Sequence, residues 1–505
     1  MQVRLTVRLS SRRHSSPFER HSVAAQQRPG HTVTSLCHYQ AVAGTRSDIP
    51  DQLLQAAAEC TGRIALVVGA GCSLEDPTGL KLANQYAREV HDALVADRVL
   101  EDGECSAPDD LSAVTSAVWA KRRSQQEVVT RLPRNKFRNA RANDGYLAAA
   151  ALLRERAVSA VLSLNFDLAM SHALTELSAD EVAVIAGPEA TRDLGSYVVI
   201  YLHRNVNEPD ADRWILRTEA LRSEWQGQWE EALAQRVVSS PIVVFAGLGS
   251  PAAVLTETVS WIRERLQEQH NAYVVDPDAT TAFKDALHLP DGSHVAITWC
   301  EFMQLLADRL SEQLRSSLRD ACSGLCAEHS WNSELEHVDA LCGLLFASGL
   351  VDAGRIRARW LLARESYTPD EENGRAFVAD LLLGLGLAQR HSKLELAVRR
   401  NGVVELRQGD RIAGSCLPVS GKGVRRWTAL EPRIMSALNR FSTYERPSAV
   451  LMAGMQGPLP ADVSPPLDLV YGSDEGDITE GRVSLQYVTV DELREDATSA
   501  NRLAS

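Results

Sequence analysis

Apolar positions along this chain fall into two patterns, short unbroken runs and longer stretches of helical period, and the two alternate between about residues 60 and 315. Unbroken runs lie at 64–68, 158–164, 182–185, 197–202, 242–246, 272–275 and 295–298. A parallel strand buried on both faces requires such a run. Helical patterns occupy 51–60, 80–100, 111–131 and 144–157, an amphipathic stretch covers 253–268, and another helix begins at Glu301. This alternation predicts an α/β fold, a Rossmann-like parallel sheet with flanking helices.

Beyond 315 the pattern changes. Residues 316–400 are helical in period, and from 394 onward strand-like segments take over, with a hairpin expected around Asn401-Gly402 and strands at 448–453 and 483–489. A Gly/Pro-rich loop, 457–466, separates the last two. The organisation expected is a tail over 1–50, an α/β domain over 51–315, and a smaller helical and α+β C-terminal module over 316–505. That module serves assembly or partner binding, or is a plain extension of the first domain.

Length and composition narrow the class. With 505 residues the chain has room for two or three domains, and 45% hydrophobic and 24% charged residues describe a globular, soluble protein expected in the cytoplasm. No apolar run approaches the ~18 residues that span a membrane. A net charge of −13 argues against direct nucleic-acid binding by this chain. The nine cysteines are mostly scattered, as expected of reduced thiols. Cys322 and Cys326 with His329 have no second ligand pair, so no metal is expected. Residues 1–50 hold seven Arg, no Lys and two acids, a composition suited to disorder, to a transit peptide or to a start codon placed too far upstream.

The candidate chemistry lies where the runs end. The first leads into Gly69-Ala70-Gly71-Cys72-Ser73 and then a helix, a layout that turns backbone N–H groups toward an anion. Leu74 stands where a dinucleotide fingerprint needs its third glycine, and the G-K-[ST] ending of a P-loop is missing. A tight turn without a ligand fits the motif alone. Further runs end at Asn165-Phe166-Asp167, at His203, at Gly247-Leu248-Gly249-Ser250 and at Asp276. Ligands of open parallel sheets bind at the carboxyl ends of the strands, and five polar strand ends together point to one site.

This ordered set resembles the sirtuin superfamily. Gly69-Ala70-Gly71-Cys72-Ser73 with Pro77 and Gly79 resembles its glycine loop, Ser163–Asp167 its T-x-N-x-D element, and His203 its catalytic histidine. Gly247–Ser250 resembles its later glycine turn, and Val274-Val275-Asp276 the strand end over the adenosine. Arg204 replaces the glycine usual after the histidine, and Leu164 a polar residue. Protein-deacylating members carry a four-cysteine zinc module between the histidine and the later turn, whereas residues 204–246 contain no cysteine. The chain is therefore more similar to the zinc-free sirtuin-like NAD hydrolases of bacterial anti-phage systems, which deplete NAD in the infected cell (abortive infection).

That resemblance implies NAD as substrate. Gly69, Ala70, Gly71 and Ser73 would take the phosphates, with Pro77 and Gly79 shaping the loop. Asn165, Asp167 and His203 would perform the chemistry, and Gly247, Gly249, Ser250 and Asp276 would hold the adenosine half. His203 as a core histidine and Asp167 as a helix cap are the structural alternatives. It also implies a homo-oligomer, a companion defence protein (an ATPase, nuclease-like or Argonaute-like partner), or both. An NAD- or ADP-ribose-binding sensor without turnover is the alternative function, followed by an NAD-dependent protein deacylase.

Overall fold

The computed structural model describes residues 49–217, 229–249, 271–278, 282–328, 335–362, 372–420, 427–442, 444–454 and 485–504. Ser250, the tail over 1–48, the stretch 253–268 and the loop 457–466 lie outside them. Residues 47–505 belong to one compact unit.

The apolar runs form a seven-stranded sheet: β1 (Ile64–Val68), β2 (Val158–Ser163), β3 (Ala183–Ile185), β4 (Val198–Tyr201), β5 (Ile242–Ala246), β6 (Asn271–Val275) and β7 (His294–Val295). Their order is β3-β4-β2-β1-β5-β6-β7, with every pairing parallel. The chain builds outward from β1 on one side and returns to β5 on the other, so the order reverses beside β1. Such a switch point opens a crevice at the strand ends.

Helices cover both faces. They are α1 (Asp51–Glu59), α2 (Ala83–Ala96), α3 (Leu111–Arg122), α4 (Gln126–Arg131), α5 (Arg134–Arg138), α6 (Asp144–Arg154), α7 (Ala169–Glu176), α8 (Trp229–Val238), α9 (Ala282–Ala286) and α10 (Trp299–Glu328). The single helical pattern expected over 111–131 is split into α3 and α4. Arg123 closes α3 in the left-handed conformation at φ 53°, and the Ser124 hydroxyl and Gln125 amide then donate to Asp212 at 3.0 and 2.8 Å. Alternate residues of β1 feed different cores. Ile64, Leu66 and Val68 pack with α1, α6 and the first half of α10, while Ala65 and Val67 pack with Leu233 and Val237 of α8 and Phe283 of α9.

The C-terminal region holds α11 (Leu335–Phe346), α12 (Gly349–Trp360), α13 (Glu372–Ser392), α14 (Trp427–Leu438) and α15 (Val490–Glu495). Its sheet contains β8 (Glu395–Val398), β9 (Val404–Gln408), β10 (Arg411–Ser420), β11 (Ala449–Ala453) and β12 (Gln486–Thr489), ordered β12-β11-β10-β9-β8. β8, β9 and β10 are antiparallel, whereas β10, β11 and β12 run parallel. The β8–β9 hairpin turns at Asn401-Gly402, where Gly402 has φ 82°, a value that favours glycine.

The two regions share a helix. α10 contributes residues up to Leu314 to the first core, and Leu318, Cys322 and Cys326 to the second. The position 315/316 therefore falls inside continuous helix. A buried ion pair, Arg357 Nη1 to Glu155 Oε1 at 3.0 Å, bridges α12 and the end of α6, and Arg154 Nη1 donates to the Gly354 carbonyl at 3.3 Å.

Candidate functional site at the strand ends

The register sets the site. Val68 lies level with Ser163 and with Ala246, Ser163 with Tyr201, and Ala246 with Val275. The last residues of β4, β2, β1, β5 and β6 thus form one row, about 19 Å long at the usual ~4.8 Å strand spacing. Gly69, Leu164, Leu202, Gly247 and Asp276 each follow a member of that row.

The glycines of the first loop meet those of the second. A Cβ on Gly69 would lie 2.6 Å from the Gly247 carbonyl oxygen, one on Gly71 2.6 Å from Gly247 Cα, and one on Gly247 2.4 Å from the Cys72 nitrogen. Gly247 also has φ 64°. The Gly69 amide donates to the Ala246 carbonyl at 2.9 Å, that of Gly71 to the Gly247 carbonyl at 3.0 Å, and that of Cys72 to the Gly69 carbonyl at 3.1 Å. This corrects the role expected of Gly69 and Gly71 as phosphate donors. Their N–H groups are engaged within the protein, and their missing side chains let two backbones touch.

Ser73, Asn165 and Asp167 come together as the sequence predicts, around a fourth residue that it did not single out, Tyr146. Ser73 Oγ donates to Asp167 Oδ2 at 2.9 Å, and Tyr146 OH lies 2.9 Å from Ser73 Oγ. Because Ser73 has one hydroxyl proton, the Tyr146 hydroxyl is the donor in that second contact. Asn165 Nδ2 donates to the Gly69 carbonyl at 2.9 Å, to Tyr146 OH at 3.1 Å and to Ser73 Oγ at 3.3 Å. Its carboxamide oxygen accepts no hydrogen bond among the described residues. Asp167 also caps α7, accepting from the Ala169 amide at 2.9 Å.

All four side chains are buried. Burial raises the Asp167 carboxyl above its ordinary range, against the lowering effect of the Ala169 amide and Ser73. It also holds the Tyr146 hydroxyl protonated, with the nearby Asp167 charge acting in the same direction. Tyr146 is positioned by helix geometry. Asn143 caps α6 by accepting from the Tyr146 amide at 3.0 Å and ties the helix to the loop by donating to the Cys72 carbonyl at 2.9 Å. The signal lay in the sequence DGYLAAAALLR, where a tyrosine is the one polar side chain between Asp144 and Arg154 and four alanines let the helix approach closely.

Pro77 and Gly79 shape the loop that follows. The Leu80 amide donates to the Ser73 carbonyl at 2.8 Å, and Gly79 turns at φ 55°. A cavity of about 80 Å³ opens between this loop and α2. Ala70, Ser73, Asn165 and Asp167 line one wall, and Tyr86, Phe137 and Leu132 supply apolar surface. The cavity is small beside the ~300–1,000 Å³ of typical small-molecule sites. An extended ligand would have to lie mostly along the strand-end row.

His203 stands beyond β4. Its ring is 6.5 Å from Phe166, which stacks on Trp214 at 4.9 Å, and the Arg134 guanidinium lies 5.9 Å from the Trp214 ring. Burial pushes the imidazole down to about 4, opposed by a hydrogen bond to the Leu164 backbone. His203 is thus neutral at neutral pH, a weaker base than its residue type implies. Arg204 has φ 73°, a conformation that favours glycine, and its side chain holds it there. The guanidinium lies 4.9 Å from the Trp229 ring, donates to the Ala186 carbonyl at 3.3 Å and approaches Glu230 at 3.7 Å.

Asp276 and Gly249 lie on the other side of β1 from His203. The Asp276 carboxylate accepts from the Asp278 amide at 2.9 Å, and the His294 ring contacts the Asp276 carbonyl at 3.0 Å. Gly249 is exposed, and among the described residues no atom lies within 4 Å of a Cβ placed on it. Cys322, Cys326 and Cys342 are buried in the second core, and no cluster of three or more metal-ligating side chains occurs among the described residues. No helix among them is long and apolar enough to cross a membrane.

No protein-family model matches the chain, and no curated protein matches it in sequence. Solved structures similar to it include a mutant Sir2 homologue in complex with ADP-ribose, 17% identical over 53% of this chain and 98% of that one, with a TM-score of 0.30. A Sir2 homologue–NAD complex is 17% identical over 52% and 95%, with a TM-score of 0.30. A Sir2 enzyme structure concerned with mechanism and regulation is 15% identical over 53% and 100%, again with a TM-score of 0.30.

Proposed function

We propose that this chain is an NAD+ glycohydrolase, cleaving NAD+ to nicotinamide and ADP-ribose. The observation that carries the reading is the ordered proton chain Tyr146 to Ser73 to Asp167, set beside an Asn165 oxygen that accepts no hydrogen bond among the described residues. In the reaction water attacks the anomeric carbon of the nicotinamide ribose. The carbon–nitrogen bond breaks, its electron pair neutralises the pyridinium ring, and the water's proton leaves to solvent or a base. The Asn165 oxygen accepts from that water or from a ribose hydroxyl. Buried Asp167 supplies negative charge where the ribosyl group becomes cationic, which matters most away from water. The nicotinamide ring enters the small cavity while the rest of the dinucleotide lies along the strand-end row, with Ala70 near the phosphates and Gly249 and Asp276 toward the adenosine.

The motif set and the cysteine-free span 204–246 support the finer reading of an anti-phage effector that depletes NAD in the cytoplasm, as a homo-oligomer or with a companion protein. His203 favours a second reading, because an imidazole held near 4 is a poor proton acceptor at pH 7 and suits a sensor that binds NAD or ADP-ribose without turnover. One assay separates the two. Purified full-length protein, with and without its companion, is incubated with NAD+ and free nicotinamide is measured. Asn165→Ala is expected to lower its release by about 100-fold or more, the usual cost of losing a preorganised polar group, while leaving the circular dichroism spectrum unchanged. Undiminished turnover by a folded Asn165→Ala protein overturns the assignment, and wild type that binds NAD+ without releasing nicotinamide establishes the sensor.

A further inference from the structure

A second cavity, of about 710 Å³, lies where α7 meets the C-terminal region. Its charged lining is one-sided. Among the described residues, Arg355 and Arg359 of α12, Arg400 of the hairpin, and Arg433 and Arg440 on or just past α14 face a single lining acid, Glu176. The spacing explains the convergence. On α12 the lining residues 355, 358 and 359, and around α14 residues 433, 436, 437 and 440, recur at helical intervals of three and four.

Three of the five arginines are held in place. Buried Asp352 pairs with Arg355 at 2.8 Å and with Arg400 at 2.9 Å, and Glu176 pairs with Arg355 as well. Arg359 donates to the Asn401 carbonyl at 2.9 Å and packs over the Phe441 ring at 4.9 Å. Arg433 and Arg440 make no ion pair among the described residues. Among the described residues, five lining arginines face Glu176, the buried Asp352 and, near Arg359, Glu445, so this lining is net positive in a chain whose net charge is −13. Like charges converging on a concave wall repel one another, and a bound anion relieves that repulsion.

We infer that this cleft binds a small anion carrying at least a diphosphate. Guanidinium forks pair with phosphate oxygens in a bidentate manner, and each of the held arginines keeps N–H groups beyond those already engaged. The volume falls in the ~300–1,000 Å³ range of small-molecule sites. Ser178 and Ser436 add hydroxyls, and among the described residues no aromatic side chain lines the wall on which a base could stack, so recognition rests on the phosphates. Inorganic pyrophosphate and the diphosphate of a nucleotide share this chemistry.

Titration calorimetry on the full chain tests it, with inorganic pyrophosphate and ADP as ligands and orthophosphate as control. Pyrophosphate is expected to bind saturably to wild type, and the arginine substitutions that follow are expected to leave nicotinamide release from NAD+ unchanged, which separates the cleft from the strand-end site. Arg433→Ser combined with Arg440→Ser, both exposed, is expected to weaken it by about tenfold or more. Tighter binding of ADP identifies a nucleotide as the source, and tighter binding of pyrophosphate a free phosphate. No saturable binding, unchanged affinity in the double variant, or preference for an oligonucleotide that pyrophosphate does not displace overturns the proposal.

Discussion

Asn165 has two amide hydrogens and three acceptors within reach, the Gly69 carbonyl, Tyr146 OH and Ser73 Oγ. It therefore acts first as the clasp that fixes the glycine loop against α6, and its oxygen is aimed by that clasp. The sequence made Asn165 legible as a strand-end residue but not this second duty, which depends on a tyrosine 19 positions earlier on a helix. Titration gives a further handle. The folded-state value of His203 is depressed to about 4 from an ordinary ~6.5. Below pH ~6.5 the unfolded chain takes up a proton that the folded chain refuses, so stability is lost as pH falls toward about 4. Asp167 acts with the opposite sign, because its raised value favours the folded state toward acid. A His203→Asn protein is thus expected to lose less urea resistance than wild type between pH 7.5 and pH 4.5. Equal losses would show that the imidazole does not carry this dependence.

At the scale of elements, the unbroken apolar runs gave the strands because burial on both faces leaves no polar position, and parallel register then placed their ends in a row. Two features stayed hidden. The reason for Gly69 and Gly71 is Gly247, 176 residues further on from Gly71, and only the β1–β5 pairing brings them within touching distance. Arg204 occupies a left-handed position held by its side-chain contacts and by its amide's hydrogen bond to the Tyr201 carbonyl, which no local propensity announces. Gly247→Ala adds a Cβ 2.4 Å from the Cys72 nitrogen at positive φ. It is expected to cost about 2–4 kcal/mol of stability and to disrupt the loop under Asn165. Chemical denaturation checks the first and nicotinamide release the second. An Ala variant at exposed Gly249, where no atom of the described residues lies within 4 Å of the added Cβ, should leave stability unchanged.

At the scale of the molecule, the change of pattern after residue 315 was legible because hydrophobic period reports local packing. It could not show that one helix serves both sides of that change, nor that arginines from three distant stretches converge beside α7. The buried Arg357–Glu155 pair adds a joint that neither segment reveals alone. α10, 30 residues and about 45 Å long, has a practical consequence. Near its midpoint, buried Leu314 packs in the first core and buried Leu318 in the second, so this turn is anchored from both sides. Amide deuterium uptake there is expected to be among the slowest in the chain and to follow the rate of global opening, while α2 and the β8–β9 hairpin exchange sooner. Peptide-resolved mass spectrometry reads this directly, and early labelling at 314–318 would mean that the halves unfold independently. A shared α10 predicts that the two cores unfold as a single thermodynamic unit, with loosening of either half felt as a loss of protection in the other.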